Sequence, residues 1–243
     1  MPRFFVNKEN IIDDCAHILG EDAYHIARSL RMAEGDAVTV CDTEGVEYNC
    51  TLVRIRDEEC VASIVDSHAA KSESPVKVTL YMGYPKGDKL EQVIQKAVEL
   101  GAIKIVPFES SRCIKRPKAE REEKQLLRLQ RIAIEAAKQC GRGIIPTVEK
   151  TVSFEKMISQ ISTTTALFCY EGEGAVSLRE VLSTLSDTAE IAVIIGSEGG
   201  FSDSEAEAMR NVGAKICNLG PRILRCETAP TYVLSAISYQ FEI

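Results

Sequence analysis

The sequence predicts an α/β protein with a mostly parallel sheet, preceded by a small β-rich domain. From Val76 onward, short apolar strands alternate with amphipathic helices. Strands separated by helices form parallel sheets that are covered on both faces. Before Ser67 the chain instead contains short, β-branched runs and a single helix, which indicates a small barrel.

A polar linker separates these two patterns. Residues 67–75 read SHAAKSESP, a stretch of small and polar residues that ends in proline. The chain of 243 residues is long enough for two domains. We therefore predict one domain at residues 1–70 and a second at residues 74–243.

The N-terminal domain is predicted to contain four strands, a hairpin turn and one helix. The turn Asp42–Gly45 suits a hairpin, because Gly45 can adopt positive φ. The helix is predicted over Glu21–Met32, where apolar residues recur on one face. The predicted strands are Arg3–Val6, Ala37–Cys41, Val46–Ile55 and Cys60–Val65.

The second domain is predicted from alternating strands and capped helices. Asp88 with Glu91, and Ser202 with Glu205, each match the spacing of a capping box. The core face of the long helix would include Leu126, Leu127 and Leu129. The predicted elements are strand Val76–Met82, a helix from Asp88 to Gly101, strand Ile103–Val106, helix Lys118–Cys140, helix Phe154–Ile161, strand Thr165–Tyr170, helix Leu178–Leu185, strand Ile191–Ile195, helix Asp203–Asn211, strand Ala214–Leu219 and helix Ala229–Phe241.

The composition is that of a soluble globular protein, with 45% hydrophobic and 27% charged residues. No apolar run approaches the roughly 20 residues that a membrane helix needs. The N-terminus lacks the pattern of a signal peptide, so we expect a cytoplasmic protein. The nine cysteines are irregularly spaced without a Cys-x-x-Cys pair, so we expect neither disulfides nor a metal site.

The net charge of −7 conceals a strong asymmetry along the chain. Residues 112–142 contain ten basic and four acidic side chains, whereas residues 1–70 contain six basic and fourteen acidic ones. On a helix, Arg121, Lys124, Arg128 and Arg131 share one face. That face either follows a phosphate backbone or is an ordinary solvated surface.

Two glycine-bearing loops at predicted strand ends form the candidate ligand site. Gly196–Gly200 lies between a strand and a helix N-terminus, which suits a polar ligand or a tight structural turn. Leu219–Glu227 contains Arg222 and Arg225, which can stabilise an anion. The alternative for Leu219–Glu227 is a solvated segment with an ion pair between Arg225 and Glu227. In α/β proteins, such strand ends are where ligands bind.

The two loops also carry a family resemblance. GSEGGFSDSE, beginning at Gly196, and LGPRILRCETA, beginning at Leu219, resemble the signature of the RsmE family. This family comprises SPOUT-class methyltransferases that act on a uridine of small-subunit (16S) ribosomal RNA. Further segments follow the family pattern in order, namely His25, Leu30–Met32, Gly35–Asp36, Lys96, Glu99, Gly101, Ser111–Arg112, Glu135–Ala136, Gln139–Cys140, Arg142 and Pro146.

The resemblance implies a fold and a chemistry that spacing alone does not. The N-terminal domain would be a PUA-like β-barrel, and the second a SPOUT domain whose C-terminal end is threaded into a trefoil knot. The cofactor would be S-adenosyl-L-methionine, and the reaction would be methylation of uracil N3 in 16S rRNA, within the 30S subunit. The protein would act as a homodimer, without a metal and away from membranes.

The resemblance also implies which residues form the site. The cofactor-binding residues would be Phe168, Tyr170, Gly196, Glu198, Gly199, Gly200, Leu219, Gly220, Ile223, Leu224, Arg225, Thr228 and Ala229. The RNA-binding residues would be Arg3, Arg28, Arg31, Arg112, Lys115, Arg116 and Arg142. We expect the first three to cluster on one face of the acidic barrel, and the glycines to let backbone approach the cofactor.

Loss of the N3 proton puts negative charge on the uracil carbonyl oxygens, and we assign Arg225 to stabilise it. Glu198 is the first candidate general base and Glu227 the second, although either can instead hold the loops. The chain departs from the family pattern at Ser197, where proline is usual, and at Cys226, where threonine is common. The rival functions are a SPOUT enzyme with another RNA target, a different nucleotide-binding α/β enzyme and a non-catalytic RNA-binding protein.

Overall fold

The chain divides into two compact units. The computed structural model describes residues 1–114, 119–186 and 190–243, with the side chains of residues 119–121 left out. The first unit comprises Met1–Glu73 and Ala137–Ile145, and the second comprises Ser74–Ala136 and Pro146–Ile243. The predicted second domain, 74–243, differs from the second unit by residues 137–145, which cluster with the N-terminal residues.

The first unit is built on a six-stranded sheet in the order β1-β4-β5-β6-β3-β2. Its elements are β1 (Arg3–Phe5), β2 (Ile11–Ile12), β3 (Cys15–Leu19), α1 (Glu21–Tyr24), β4 (Ala37–Cys41), β5 (Val46–Ile55) and β6 (Glu59–Ala69). All pairs are antiparallel except β1 with β4. Alternating residues such as Val38 and Val40, with Ile18 and Leu52, are buried in its core.

Three predictions for this unit were wrong in detail. Strands β2 and β3 were missed because they are short and are joined by Asp13 and Asp14, whose positive φ angles of 46° and 58° make the turn. The predicted helix Glu21–Met32 is α-helical only to Tyr24, and a π-helical turn follows over His25–Ser29. Strand β6 runs to Ala69, so the first residues of the predicted linker pair with β5.

Within the first unit, a buried ion-pair network holds residues 137–145 against the N-terminal residues. The guanidinium of Arg142 donates to Glu73 at 2.5 Å, and Glu73 also accepts the backbone N–H groups of Gly143 and Ile144. Arg3 donates to Glu47 and to the carbonyl oxygen of Arg142. Because Arg142 is only 2% exposed, its predicted contact with RNA is wrong in this structure.

The second unit is an α/β layer structure around a parallel sheet. Its elements are β7 (Lys77–Gly83), α2 (Lys89–Glu99), β8 (Ala102–Glu109), α3 (Ala119–Cys140, with its last turn in the first unit), β9 (Thr147–Val148), β10 (Val152–Ser153), α4 (Phe154–Ile161), β11 (Thr165–Cys169), β12 (Val176–Ser177), α5 (Leu178–Leu182), β13 (Glu190–Ile195), α6 (Asp203–Asn211), β14 (Lys215–Asn218) and α7 (Thr228–Phe241). The order is β10-β8-β7-β13-β11-β14-β12, with β9 paired to β8, and every ladder is parallel.

The two predicted capping boxes had different outcomes. Ser202 and Glu205 form the predicted box at the start of α6. Asp88 makes no side-chain cap at α2, and Glu91 pairs instead with Arg128 at 2.9 Å. Leu127 was placed in the core but is 68% exposed, because it projects from the opposite side of α3 to Leu129. Across the described parts of the chain, no helix combines the length and apolar character needed to span a membrane.

Replacing Arg142 with methionine should lower the free energy of unfolding by about 2 kcal/mol, because Glu73 would keep a largely buried charge without its partner. Urea denaturation followed by circular dichroism measures this. The matched control is Arg28→Met, which removes an exposed pair with Asp57 and should change stability little. Equal losses in the two variants would contradict the structural role of Arg142.

Candidate functional site

A cavity of about 540 Å³ opens at the carboxyl ends of β11, β13 and β14. These strands are neighbours in the sheet, so the loops that leave them meet at one edge. The residues lining the cavity are Lys89, Arg112, Cys169, Tyr170, Glu171, Ile195, Gly196, Ser197, Glu198, Gly200, Phe201, Cys217, Leu219, Ile223, Leu224, Arg225, Cys226, Glu227 and Ala229.

The Gly196–Gly200 loop is a tight turn whose shape is fixed by packing. The N–H of Gly200 donates to the carbonyl oxygen of Ser197 at 2.9 Å, and Gly200 has a φ of +62°. A Cβ at Gly199 would lie 2.8 Å from the carbonyl oxygen of Arg112, and one at Gly83 would lie 2.5 Å from the backbone N of Ser197. Glycine at position 199 is therefore needed for contact with Arg112, and Gly199 does not line the cavity.

Ser197 carries a buried hydroxyl without a hydrogen-bond partner in the part of the chain that the structure describes. The residue is 6% exposed, and within the described residues nothing hydrogen-bonds its Oγ. An unpaired buried hydroxyl costs about 1–3 kcal/mol. This is the position at which the related family usually carries proline, so the departure noted in the sequence has a physical cost here.

Lys89 connects two lining residues of the cavity, Glu198 and Glu227. Its Nζ lies 3.0 Å from Oε1 of Glu198 and 3.2 Å from Oε2 of Glu227. Glu198 also accepts the backbone N–H of Lys86, and Cys226 donates its thiol to Glu227. The loops that follow β11, β13 and β14 are here the first, second and third loops, and the second is Gly196–Gly200. One ammonium thus joins the start of α2 to the second loop and to the start of α7.

These contacts set the ionisation of both carboxylates. Burial alone would raise the pKa of Glu198, but hydrogen bonds from its own backbone N–H, Lys89 and Lys86 hold the pKa below its ordinary value. Burial likewise opposes the hydrogen bonds of Glu227, yet its pKa is also lowered. Burial, and secondarily the neighbouring Glu227, raises the pKa of the Cys226 thiol to about 12. The carboxylates are therefore anionic and weakly basic.

A buried carboxylate, that of Glu205, holds Ser111, the residue that precedes Arg112. Glu205 is 7% exposed and accepts the backbone N–H of Ser111 at 2.7 Å and its hydroxyl at 2.9 Å, in addition to the cap of α6. The loop after β8 is thereby fixed against the start of α6. The Arg112 side chain is exposed and contacts the carbonyl oxygen of Gly199 at 3.5 Å.

The first loop presents Tyr170 to the cavity and Phe168 to the core. Tyr170 donates its hydroxyl to Asp203 at 3.2 Å. Phe168 is fully buried, with its ring centroid 4.3 Å from that of Phe201. Phe168 therefore supports the loop from beneath and does not line the cavity.

The third loop leaves two side chains available to a ligand. Ile223 is 87% exposed, and Arg225 is exposed while its carbonyl oxygen accepts the N–H groups of Thr228 and Ala229. In the described chain no acidic group pairs with the Arg225 guanidinium, and Glu227 pairs with Lys89 instead. The alternative of an Arg225–Glu227 ion pair is therefore wrong.

Most of the predicted cofactor and catalytic residues come together at this cavity. Those that line it are Tyr170, Gly196, Glu198, Gly200, Leu219, Ile223, Leu224, Arg225, Glu227 and Ala229. Those that do not are Phe168, Gly199, Gly220 and Thr228. Sequence reasoning missed Lys89 and the contact of Glu205 with Ser111, because these partners lie 109 and 94 residues apart along the chain.

The predicted RNA-binding arginines of the first unit mostly have acidic partners. Arg3 pairs with Glu47, and Arg28 forms a bidentate pair with Asp57. Arg31 is exposed and adopts a φ of 51°. Lys115 and Arg116 lie outside the described residues. Among the residues that are described, no cluster of histidine, cysteine or carboxylate side chains could hold a metal ion.

Replacing Ser197 with alanine should raise the free energy of unfolding by about 1 kcal/mol, because the substitution removes an unpaired buried hydroxyl. The matched control is Ser202→Ala, which removes the capping hydroxyl of α6 and should cost about 1 kcal/mol. Chemical denaturation of both variants decides this. A similar loss in each would show that Ser197 has a partner after all.

The lowered pKa of Glu198 predicts a pH-dependent contribution to stability. A depressed folded-state pKa stabilises the protein above the ordinary value of 4.5 and loses that contribution as pH falls through the folded value. The stability difference between the wild type and Glu198→Gln should therefore be constant above about pH 5 and shrink in more acidic solution. Thermal unfolding across this pH range measures it, and a difference that grows with acidity would contradict it.

Comparison with known proteins assigns this architecture to a family. Residues 72–238 match the model of an RNA methyltransferase domain, and residues 18–65 match that of an RNA methyltransferase PUA domain. Ribosomal RNA small subunit methyltransferase E of Bacillus subtilis (strain 168) is 35% identical over 251 residues, which covers 100% of this chain and 98% of the relative. Its namesake from Synechocystis sp. (strain ATCC 27184 / PCC 6803 / Kazusa) is 30% identical over 242 residues, covering 99% and 78%.

A solved structure agrees with these sequence matches. The crystal structure of a Ribosomal RNA small subunit methyltransferase E from Neisseria gonorrhoeae, bound to S-adenosyl methionine, superposes with a TM-score of 0.86. It is 27% identical, and the match covers 99% of this chain and 98% of that one. The resemblance found in the sequence is thus confirmed, and the chain belongs to the ribosomal RNA small subunit methyltransferase E family of RNA methyltransferases.

Proposed function

We propose that this chain transfers a methyl group from S-adenosyl-L-methionine to N3 of a uridine in small-subunit (16S) ribosomal RNA, within the 30S subunit. The observation that carries the proposal is the three-loop cavity with Arg225 at its wall, where no acidic side chain among the described residues pairs with it. The names of the relatives support rRNA of the small subunit as the substrate. The bound ligand of the Neisseria gonorrhoeae relative supports the cofactor.

The cavity has the size and the lining that this cofactor requires. Its volume of about 540 Å³ is within the range of small-molecule sites. Apolar side chains from Leu219, Ile223 and Leu224 would contact the adenine, while backbone groups of Gly196 and charged side chains would contact the polar parts. When bound, the cofactor supplies an activated methyl group on a sulfonium.

Arg225 would provide the electrostatic part of catalysis. Uracil N3 becomes nucleophilic only after it loses its proton, and the negative charge then spreads onto the adjacent carbonyl oxygens. A guanidinium that has no acidic partner can donate to such an oxygen. Arg112, whose neighbour Ser111 is held by Glu205, would help place the nucleotide through its phosphate.

Glu198 and Glu227 are better suited to holding loops than to removing a proton. Both accept hydrogen bonds from Lys89, and both have lowered pKa values. A carboxylate stabilised in its anionic form is a weak base. We therefore propose that the N3 proton leaves by another route, such as water, while these two carboxylates fix the geometry of the cavity.

The assembly and topology that the family resemblance implies remain proposals. We propose a cytoplasmic homodimer with each cavity near the subunit interface, and a C-terminal trefoil knot formed by the segments around β13, β14 and α7. The two predicted domains at 1–70 and 74–243 would act together, the first as an accessory RNA-binding domain.

Incubation of the purified chain with unmodified 30S subunits and S-adenosyl-L-methionine should produce 3-methyluridine, which nucleoside mass spectrometry detects. A methylated nucleoside of another kind would contradict the assignment to N3. Methylation of transfer RNA but not of 30S subunits would indicate another RNA target. No methylation, together with retained RNA binding, would indicate a non-catalytic RNA-binding protein.

The role of Arg225 is tested in the same assay. Arg225→Ala should lower the single-turnover rate about 100-fold, the effect expected for loss of one transition-state donor. Arg222→Ala is the matched control, because Arg222 belongs to the same loop but does not line the cavity. Cofactor affinity, measured by calorimetry, should change little in either variant. A full rate with Arg225→Ala would overturn the assignment.

A further inference from the structure

We propose that Lys89 is a positioning residue that holds the cavity open for its ligand by joining the second loop to the start of α7. Its role deepens the proposed function and rests on it, because the cavity is the one assigned to S-adenosyl-L-methionine. Lys89 does not need to contact a reacting atom in order to act. It acts through the two carboxylates that it binds.

The geometry supports a clamp rather than an ordinary surface ion pair. The Nζ atom is within 3.2 Å of carboxylates from two loops that lie 29 positions apart in the chain, Glu198 and Glu227. The side chains of all three residues are at most one-third exposed. The Sγ of Cys226 lies 4.0 Å from the same ammonium. A third segment, the turn before α2, takes part through the N–H of Lys86, which Glu198 also accepts.

Loss of the ammonium would leave two anions facing each other across the wall. Among the described lining residues, the charged groups are Lys89, Arg112 and Arg225 against Glu171, Glu198 and Glu227. The three cationic and the three anionic side chains of the described lining therefore balance in charge. Without Lys89, Glu198 keeps the N–H of Lys86 and Glu227 keeps the thiol of Cys226, but nothing that is described links the two loops. Their mutual repulsion would then separate them.

A positioning role and a purely electrostatic role of Lys89 predict opposite changes in the affinity for S-adenosyl-L-methionine when Lys89 is removed. S-adenosyl-L-methionine has a net positive charge at neutral pH, whereas its product, S-adenosyl-L-homocysteine, is neutral overall. If Lys89 acted only as a nearby cation, its removal would strengthen the binding of the charged cofactor and leave that of the product unchanged. If Lys89 positions the loops, its removal weakens the binding of both ligands equally.

Calorimetry with the full-length chain separates these cases. We expect Lys89→Met to bind both S-adenosyl-L-methionine and S-adenosyl-L-homocysteine about tenfold more weakly than the wild type. Lys89→Arg keeps the charge and should recover affinity to within about threefold. Lys77→Met removes an exposed pair with Glu190 in the same unit and should bind both ligands normally. Unchanged affinity, or tighter binding of the charged cofactor alone, would overturn the proposal.

Hydrogen–deuterium exchange on the ligand-free chain provides a readout that does not depend on the cofactor. We expect faster exchange in Lys89→Met at peptides covering both residues 196–200 and residues 224–229, and no change in Lys77→Met. Equal exchange in the two variants would overturn the clamp. If the wild type binds neither ligand, the cofactor assignment fails, while exchange still decides the role of Lys89.

Discussion

The parallel pairing of β13, β11 and β14 is the constraint on which the site depends. Phe168 is in register with both Ile194 and Ile216, so three strands end at nearly the same height. Their following loops begin about 25 residues apart in sequence but meet at one sheet edge. Without this order, neither the tyrosine of the first loop nor the arginine of the third would share a cavity with Glu198.

Aromatic side chains packed under the loops fix the positions of these loops. Phe201, directly after the second loop, packs against the rings of Phe108 and Phe168 at centroid distances of 6.1 and 4.3 Å. At Gly199 there is no room for a side chain, because a Cβ there would lie 2.8 Å from the carbonyl oxygen of Arg112. The sequence interpretation that the glycines admit a cofactor is thus incomplete. At Gly199 the absent side chain admits Arg112, and so brings a cation to the cavity wall.

Local signals in the sequence predicted much of the fold, and long-range pairings explain the failures. The helix Phe154–Ile161 was predicted with its observed bounds, and the box at Ser202 formed as expected, because both depend on neighbouring residues. The assignment of Arg142 to RNA failed because its partner, Glu73, lies 69 residues away. The capping box at Asp88 did not form, and the side chain of Glu91 pairs instead with Arg128, 37 residues further along the chain. The cavity loops were identified by motif, but Lys89 was not, because no local pattern marks an ammonium that binds two distant carboxylates.

The distribution of paired and unpaired cations favours RNA recognition by the arginines that line the cavity over recognition by the net charge of the chain. Arg3 and Arg28 of the acidic first unit, and Arg128 of the basic tract, have acidic partners that reduce their field. Within the described residues, Arg225 has no such partner, and the guanidinium of Arg112 hydrogen-bonds only the carbonyl oxygen of Gly199. A phosphate or a developing uracil anion gains most from cations that are not already neutralised. In the function that we propose, Lys89 is the complementary case: it pairs with the carboxylates of the wall and leaves the two arginines to the nucleotide.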